Sequence, residues 1–381
     1  MKVGTISFHS SNNFGCVLQS FALSETIREL FLDACVEEIN FRRTLLQYDN
    51  RPYRIQYEDK CKQEGTSPTE EGYAEFEKLQ LGMQKRIDRF RDFRNQYMNM
   101  GEVIYDMQEV DNDKYDVCIS GSDQVWNWGL THGYEDAYFL EFSDDKTRRI
   151  AYAASLGIDL FNEPGQVEWL KQHIKSFDYI SIREKSYLPY IQKITDKSMP
   201  VCLDPTLLHS QSFWGKFEKK PEGLGDEKYV LMYALGYRWC KECEEKAAQM
   251  ANDVAKKNGY KIIHYYYGEL KNWFPKDSEH FYFEGPQEFL WLVHHAEYVI
   301  CCSFHATAFS VIYHKPFYTF HVPGNGARMK DLVDTIGIPD RYIDSVLTED
   351  EWNFDIDWDK CEEKLEEQRR ISLDYLRKAI S

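Results

Sequence analysis

The chain of 381 residues is short of positive charge. It has 46 Lys and Arg against 63 Asp and Glu, which gives a formal net charge of −17. A surface this acidic repels phosphate backbones, so we expect no nucleic-acid partner. An anionic small molecule can bind only in a pocket that supplies its own basic residues.

Long apolar runs are also lacking. No stretch of about 18 apolar residues occurs, which predicts that no segment spans a membrane. The N-terminal run MKVGTISFHSSNNFG has no apolar segment of the length that a secretion signal needs. We therefore expect a cytoplasmic protein. In the basic stretch 85–94, Asp88 and Asp92 interleave with the cations, which favours a solvated helix face over contact with lipid headgroups.

Metal-ligand spacing is absent from the pattern of the ten cysteines. Cys240 and Cys243 form a C-x-x-C, but no second cysteine pair or histidine pair lies at a suitable spacing around it. Several other cysteines lie in apolar, strand-like runs. The sequence thus predicts buried, reduced thiols and no metal site.

What the sequence does contain is a repeated strand–helix order. Residues 2–8 predict a strand, the apolar spacing of residues 17–31 predicts a helix, and residues 35–41 predict a second strand. This order is a βαβ unit, which implies a parallel sheet. Further strands are predicted at 115–120, 148–157, 178–186 and 201–208, and after residue 228 the same order of strands and helices begins again.

These patterns predict an α/β protein with two Rossmann-like, doubly wound domains. The first covers residues 1–217 and includes a polar insertion at 49–72 and a long helix at 73–98. The segment 218–228 is rich in charge, Gly and Pro, and it is the predicted linker. The second domain covers 229–345. The tail 346–381 is predicted to be helical and free to pack back on the first domain.

Ligands of open parallel sheets bind outside the carboxyl ends of the strands, so the loops after strands carry the candidate site. After the first strand, Asn13 and Gly15 permit a tight turn at a helix start that attracts anions; a capped helix explains the same residues. Ser122 and Asp123 follow the strand at 115–120. Asp123 suits a proton acceptor for a hydroxyl and, equally, a helix N-cap. Ser155 follows the next strand.

Two cations and a histidine complete the candidates. Arg183 follows an apolar strand and must pair with either Glu184 or a ligand anion. His305 opens a helix after the strand YVICCSF, where the dipole disfavours its cation, so it suits proton transfer; a packing histidine is the structural alternative. Arg328 opens the helix after the glycine loop at 324–326 and is placed to face the same cleft.

The segments NNFGCVLQSFAL, GSDQVWN, RIAYAASLG, SIREKS, VCLDPTLL and CCSFHATAFSVIYHKPF occur in this order. As a set, spanning roughly residues 3–340, they resemble the polysaccharide pyruvyl transferase family. The resemblance implies a GT-B-like pair of Rossmann-type domains with a cleft between them. It also implies transfer of pyruvate from phosphoenolpyruvate to two hydroxyls of a sugar, which forms a cyclic ketal.

The resemblance places the family's donor-binding arginine and histidine at Arg183 and His305. Two positions depart from the family pattern, since a frequent arginine is replaced by Ser303 and a frequent lysine by Asn325. Both changes remove positive charge from the donor site, and Arg328 is the candidate to replace it. We expect His305 and Asp123 to be catalytic, Arg183, Arg328 and Ser303 to bind the donor, and the acceptor or an anion to meet Asn13, Gly15, Ser122 and Ser155.

The sequence therefore predicts a pyruvyl transferase with phosphoenolpyruvate as co-substrate and no other cofactor. The acceptor is a sugar of a polysaccharide or a lipid-linked precursor, with peripheral contact at the inner face of the membrane left open, as is the oligomeric state. Two rival functions stay open at this stage. One is a GT-B-like glycosyltransferase that uses a nucleotide sugar, and the other is a non-catalytic glycan-binding or assembly protein.

Overall fold

The computed structural model describes residues 1–42, 51–131, 133, 135–157, 165–197, 199–234, 240–266, 279–281 and 283–381. Its strands and helices form two parallel sheets with helices packed around them.

The first sheet has five strands: β1 (Lys2–Ile6), β2 (Cys35–Glu38), β3 (Val117–Ser120), β4 (Arg148–Ala154) and β5 (Tyr179–Ile182). They lie in the order β2-β1-β3-β4-β5, and all pairs are parallel. This is the flavodoxin-like order, whose switch point between β1 and β3 is where ligands bind. Its helices are α1 (Phe14–Leu30), α2 (Tyr53–Glu64), α3 (Glu70–Tyr97), α4 (Gln166–His173), α5 (Leu188–Ile191) and α6 (Gln211–Trp214).

The second sheet has six strands: β6 (Tyr229–Ala234), β7 (Lys261–Tyr266), β8 (Glu279–Phe281), β9 (Tyr298–Cys301), β10 (Phe317–Phe320) and β11 (Tyr342–Ile343). They lie in the order β11-β10-β9-β6-β7-β8, which is the order of dinucleotide-binding folds with the switch point between β6 and β9. Its helices are α7 (Lys241–Asn258), α8 (Pro286–His294), α9 (Phe304–Ile312) and α10 (Ala327–Ile336), and α11 (Trp358–Ile380) follows. The predicted pair of Rossmann-like domains is confirmed.

Three predicted elements differ from the structure. The strand predicted at 201–208 is wrong: Val201 makes one bridge to Ile182, and a short 3-10 turn, Pro205–Leu208, follows. Asp204 caps this turn by accepting from the Thr206 N–H, and Pro205 has no N–H for a ladder. The strand expected to run to residue 304 ends earlier, at the end of β9. The polar insertion at 49–72 contains α2, an exposed helix that buries only Cys61.

Helix α1 belongs to both hydrophobic cores. Its first residue, Phe14, lies among rings of the second domain: it stacks on Phe289 with centroids 4.8 Å apart and lies 5.2 Å from Tyr265. Further along, Leu23 and Ile27 pack in the core of the first sheet. Fully burying one such side chain stabilises the protein by about 1.5–3 kcal/mol, so this helix ties the domains together.

The last helix packs against the first sheet. The Ser372 hydroxyl accepts from the Leu203 N–H at 2.9 Å, the Tyr375 hydroxyl donates to the Ala151 carbonyl at 2.8 Å, and Leu376 is fully buried. Thus α11, which follows the second sheet in the chain, returns to the first.

The predicted linker 218–228 contains neither helix nor strand. At its start, Glu218 accepts from His294 Nδ1 at 2.7 Å and lies 3.4 Å from His295 Nε2, so this end is anchored to α8. Its role as a hinge stays a prediction.

Cys240 and Cys243 form a disulfide, with their Cα atoms 5.4 Å apart. The expectation of reduced thiols is therefore wrong for this pair. Cys240 is the N-cap of α7, and Cys243 lies one helical turn further on, which brings the two side chains together. The other eight cysteines are free. Among the described helices, none has an apolar stretch long enough to cross a bilayer.

His209 generates a prediction about stability. It is buried, its Nε2 lies 3.0 Å from the Ala22 carbonyl and 2.9 Å from the Thr26 hydroxyl, and burial lowers its pKa from 6.5 to about 4. The folded state thus disfavours the protonated ring. The contribution of the neutral ring to the free energy of unfolding is fully present above about pH 6.5. It is lost as the pH falls toward 4, at about 1.4 kcal/mol per pH unit.

We expect the His209→Gln variant to lose less stability than the parent between pH 6.5 and pH 4. Urea unfolding at several pH values gives the free energy of unfolding of both proteins. The effect of the carboxylates is the same in both, so it cancels in the difference. Parallel curves for the two proteins would show that His209 titrates normally.

Candidate functional site

Loops from the two switch points meet between the domains. Gly15, in the first turn of α1 after β1, lies directly under the imidazole of His305, in the first turn of α9 after β9. A Cβ at Gly15 would overlap the His305 ring, so only glycine permits this contact. The structure therefore brings these two predicted residues together.

Arg183 follows β5 and is buried among carboxylates. Its Nε donates to Glu184 Oε1 at 2.9 Å, and its Nη1 donates to Asp204 Oδ2 at 2.7 Å and to Ser122 Oγ at 3.3 Å. Burial alone lowers the pKa of Arg183, but attraction by Glu184, Asp204 and Asp123 outweighs it and raises that pKa. Its Nη2 is buried without a hydrogen-bond partner among the described residues.

Asp204 connects this arginine to the histidine. The Nε2 atom of His305 lies 3.5 Å from Asp204 Oδ2, the same oxygen that Arg183 contacts. Burial alone raises the pKa of Asp204, but His305 and Arg183 outweigh it and hold that pKa well below its ordinary value. An ionised aspartate beside the ring stabilises an imidazolium and fixes its orientation.

Arg328 and Phe304 lie beside this group. The Cζ atom of Arg183 lies 4.4 Å and that of Arg328 5.9 Å from the centroid of the Phe304 ring. Arg328 is buried, and it makes no hydrogen bond or ion pair within the described part of the chain. Burial and then the like charge of Arg183 lower its pKa. A buried cation without a counter-ion favours a bound anion.

Asp123 lies close enough to this group for its charge to raise the pKa of Arg183. Its backbone has a positive φ of 80°, which is uncommon for a residue with a side chain and is found at functional sites. The alternative of an N-cap is wrong, because no described helix begins at Asp123 and its Oδ1 accepts from the neighbouring Gln124 N–H at 2.8 Å. Cys16 lies beside it: burial and then the charge of Asp123 raise the pKa of this thiol.

Of the remaining predicted residues, three have structural partners, whereas the buried hydroxyl of Ser155 has no hydrogen-bond partner among the described residues. Asn13 caps α1 by accepting from the Cys16 N–H at 3.4 Å. Ser122 is bonded to the Arg183–Asp204 pair, with its hydroxyl donating to Asp204 at 3.1 Å. Ser155 is fully buried, and Ser303 begins α9 by accepting at its carbonyl from Thr307.

Two arginines of α3 that the sequence analysis placed on a solvated face hold the loop after β1. Arg86 is buried, donates to the Asn12 carbonyl at 3.0 Å and to the Glu284 carbonyl at 3.2 Å, and lies over the Phe14 ring. Arg94 donates to Asn12 Oδ1 at 3.3 Å. Arg86 and Arg94 lie four residues before and after Phe90, so all three share one face of the helix. That spacing was the available signal that the two arginines are buried.

Asp204 and Cys16 were also missed as site residues. Asp204 lies in the segment VCLDPTLL, inside the strand predicted at 201–208 and just before Pro205, and a carboxylate in that apolar run was its only signal. Cys16 carried no signal of its own, because a free cysteine in an apolar helix usually packs as a small hydrophobic residue.

The fold and the site together define a two-domain α/β protein with an interdomain site that can bind an anion and move a proton. The sequence model of the family described as polysaccharide pyruvyl transferase matches residues 13–321. The chain belongs to this family, and the resemblance seen in its motifs is confirmed. No curated protein matches it in sequence.

Several solved structures have a similar fold. The names of three of them mention a nucleotide-linked sugar. Methanocaldococcus jannaschii UDP-GlcNAc 2-epimerase is 12% identical, with a TM-score of 0.44 over 98% of this chain and 93% of that one. E. coli ADP-heptose lps heptosyltransferase II is 10% identical, with a TM-score of 0.39 over 97% and 99%. Medicago truncatula UGT71G1 complexed with UDP-glucose is 10% identical, with a TM-score of 0.44 over 99% and 97%. Because these TM-scores and identities are low, the description of the fold depends on the strand orders of the two sheets and not on these similarities.

The contact between Gly15 and His305 generates a second prediction. Alanine is the better helix former by about 1 kcal/mol, so Gly15→Ala should leave folding intact. Its methyl group, however, must displace the imidazole, and a misplacement of about 1 Å can lower a rate about 100-fold. We expect turnover to fall while the melting temperature holds.

A double-mutant cycle checks the cause. In a His305→Ala background the Gly15→Ala change should have no further effect on turnover, because the clashing ring is gone. Additive losses would place the effect of Gly15 elsewhere.

Proposed function

We propose that this protein transfers pyruvate from phosphoenolpyruvate to two hydroxyls of a sugar in a polysaccharide or its precursor, forming a cyclic ketal. One observation carries the proposal: in a member of the pyruvyl transferase family, two buried guanidiniums flank one wall of a site that also contains a histidine–aspartate pair. That combination suits an anionic donor whose activation requires a proton.

Arg328 and the free Nη2 of Arg183 are the donor-binding groups. Neither has a counter-ion at these atoms among the described residues. Guanidiniums bind carboxylate and phosphate oxygens through charge-assisted, often bidentate, hydrogen bonds. Arg328 thereby restores charge that is missing at Ser303 and Asn325.

His305 delivers the proton. Protonation of the methylene carbon of the donor makes the adjacent carbon electrophilic, and a sugar hydroxyl attacks it. Phosphate leaves with the electron pair of its carbon–oxygen bond, and the second hydroxyl closes the ketal as its proton returns to His305. Asp204 holds the protonated imidazole, and Asp123 accepts a hydroxyl proton from the sugar. In the net reaction, phosphoenolpyruvate and a sugar diol give a pyruvate ketal and inorganic phosphate.

His305→Ala tests this assignment. Removing the proton donor should lower turnover by ~10²–10⁴ with a smaller change in donor affinity. The measurement is phosphate release from phosphoenolpyruvate across a panel of glycans, with mass spectrometry of the acceptor. His314→Asn is the control, since His314 follows the same helix, is exposed, and Asn tolerates its positive φ.

The mass of the product distinguishes the rival functions. A pyruvate ketal on the acceptor supports the proposal, whereas addition of a whole sugar residue from a nucleotide sugar identifies a glycosyltransferase. Binding of a glycan with no chemistry on either donor identifies a binding or assembly protein. Equal turnover by His305→Ala and the parent would remove His305 from the mechanism.

A further inference from the structure

A narrow cavity lies between the domains next to Phe304. Its basic lining residues are Arg183, Lys185 and Arg328. Lys185 comes from the first domain, immediately after the Arg183–Glu184 pair, and Arg328 comes from α10 of the second domain. The cavity also touches Gln368 of α11, so three parts of the chain enclose it.

Two of the three cations that line this cavity make no ion pair with a described residue. Arg183 has Glu184 and Asp204 as ion-pair partners, whereas Arg328 and Lys185 have none within the described residues. Asp331, the acidic residue of α10 in the lining, already accepts from the backbone N–H of Ser186 at 2.9 Å and from its hydroxyl at 2.8 Å.

The N-terminus of helix α10 also favours an anion near this cavity. Its first turn contains no acidic residue, and no side chain caps it. Its unpaired backbone N–H groups therefore favour an anion nearby. Arg328, nine-tenths buried in this same turn, has a buried Nε without a partner.

We propose that this cavity is the subsite for the phosphate group of the donor, with Lys185 as a phosphate-binding residue beside Arg328. The inference rests on the proposed function and specifies where the two ends of the donor lie. Two unpaired cations suit the dianion of a phosphate monoester better than a single carboxylate.

Two consequences follow from the position of the subsite. A phosphate held by Lys185 and Arg328 bridges the first and second domains, so donor binding draws them together. The phosphate that leaves with the electron pair of the carbon–oxygen bond remains on the same two cations. Inorganic phosphate is therefore a product inhibitor that competes with the donor.

Calorimetric titration of the full chain with inorganic phosphate tests the subsite, with chloride at equal ionic strength as the reference ion. Arg328→Gln should weaken phosphate binding about 10- to 100-fold, because it removes a charge-assisted partner in a buried place. Lys185→Gln should weaken it less, since Lys185 is exposed. Lys330→Gln is the matched control on α10, where Lys330 is exposed and paired with Asp334.

Arg328→Lys, which keeps the charge, guards against a folding defect: it should bind phosphate better than Arg328→Gln at a similar melting temperature. The proposal is overturned if the parent does not bind phosphate above the chloride reference, or if Arg328→Gln and Lys185→Gln bind it as Lys330→Gln does.

Turnover of phosphoenolpyruvate, measured in parallel, separates this inference from the proposed function. Phosphate binding that depends on Arg328 and Lys185, without turnover on any acceptor, keeps the subsite and refutes pyruvyl transfer. Turnover with the parent's KM in both variants keeps pyruvyl transfer and refutes the subsite.

Discussion

The insertion of the first turn of α1 between the domains is the contact on which the site depends. Phe14 is buried among aromatic rings of the second domain, and Arg86 covers it while bonding both the loop after β1 and the segment before α8. The apolar contact holds the two switch points together. Gly15, the next residue, then meets His305 because it has no side chain to keep the ring away.

Around that contact, the charged residues divide into two kinds. Arg183, Glu184 and Asp204 satisfy one another in a buried network, and such groups are costly to disturb singly. Arg328 has no such partner in the described structure, although it lies near the same phenyl ring. The network fixes the positions of its own side chains, and the cation without a partner is available to a ligand. His305 contacts the network through Asp204.

Membership of the pyruvyl transferase family defines the chemistry to be tested, and two substitutions at the family's basic positions define what is particular to this chain. Ser303 contributes its carbonyl to the start of α9, and Asn325 is buried beside the turn that precedes Arg328. In the proposed function, Arg328 of α10 supplies the positive charge that these two positions lack. An anionic donor would then still meet positive charge in this site, but from a different part of the chain.

The sequence by itself determined the alternation of strands and helices, the two domains, and the placing of Asp123, Arg183 and His305 at strand ends, because apolar periodicity and strand-to-loop transitions are local. It also contained the ordered motifs of the family. Only the tertiary structure decided that Asp204 joins Arg183 to His305, that Arg86 and Arg94 are buried, that Cys240 pairs with Cys243, and that Arg328 lacks a counter-ion. Those facts depend on which distant loops meet and on what each side chain finds there, and no local pattern of residues encodes such a meeting.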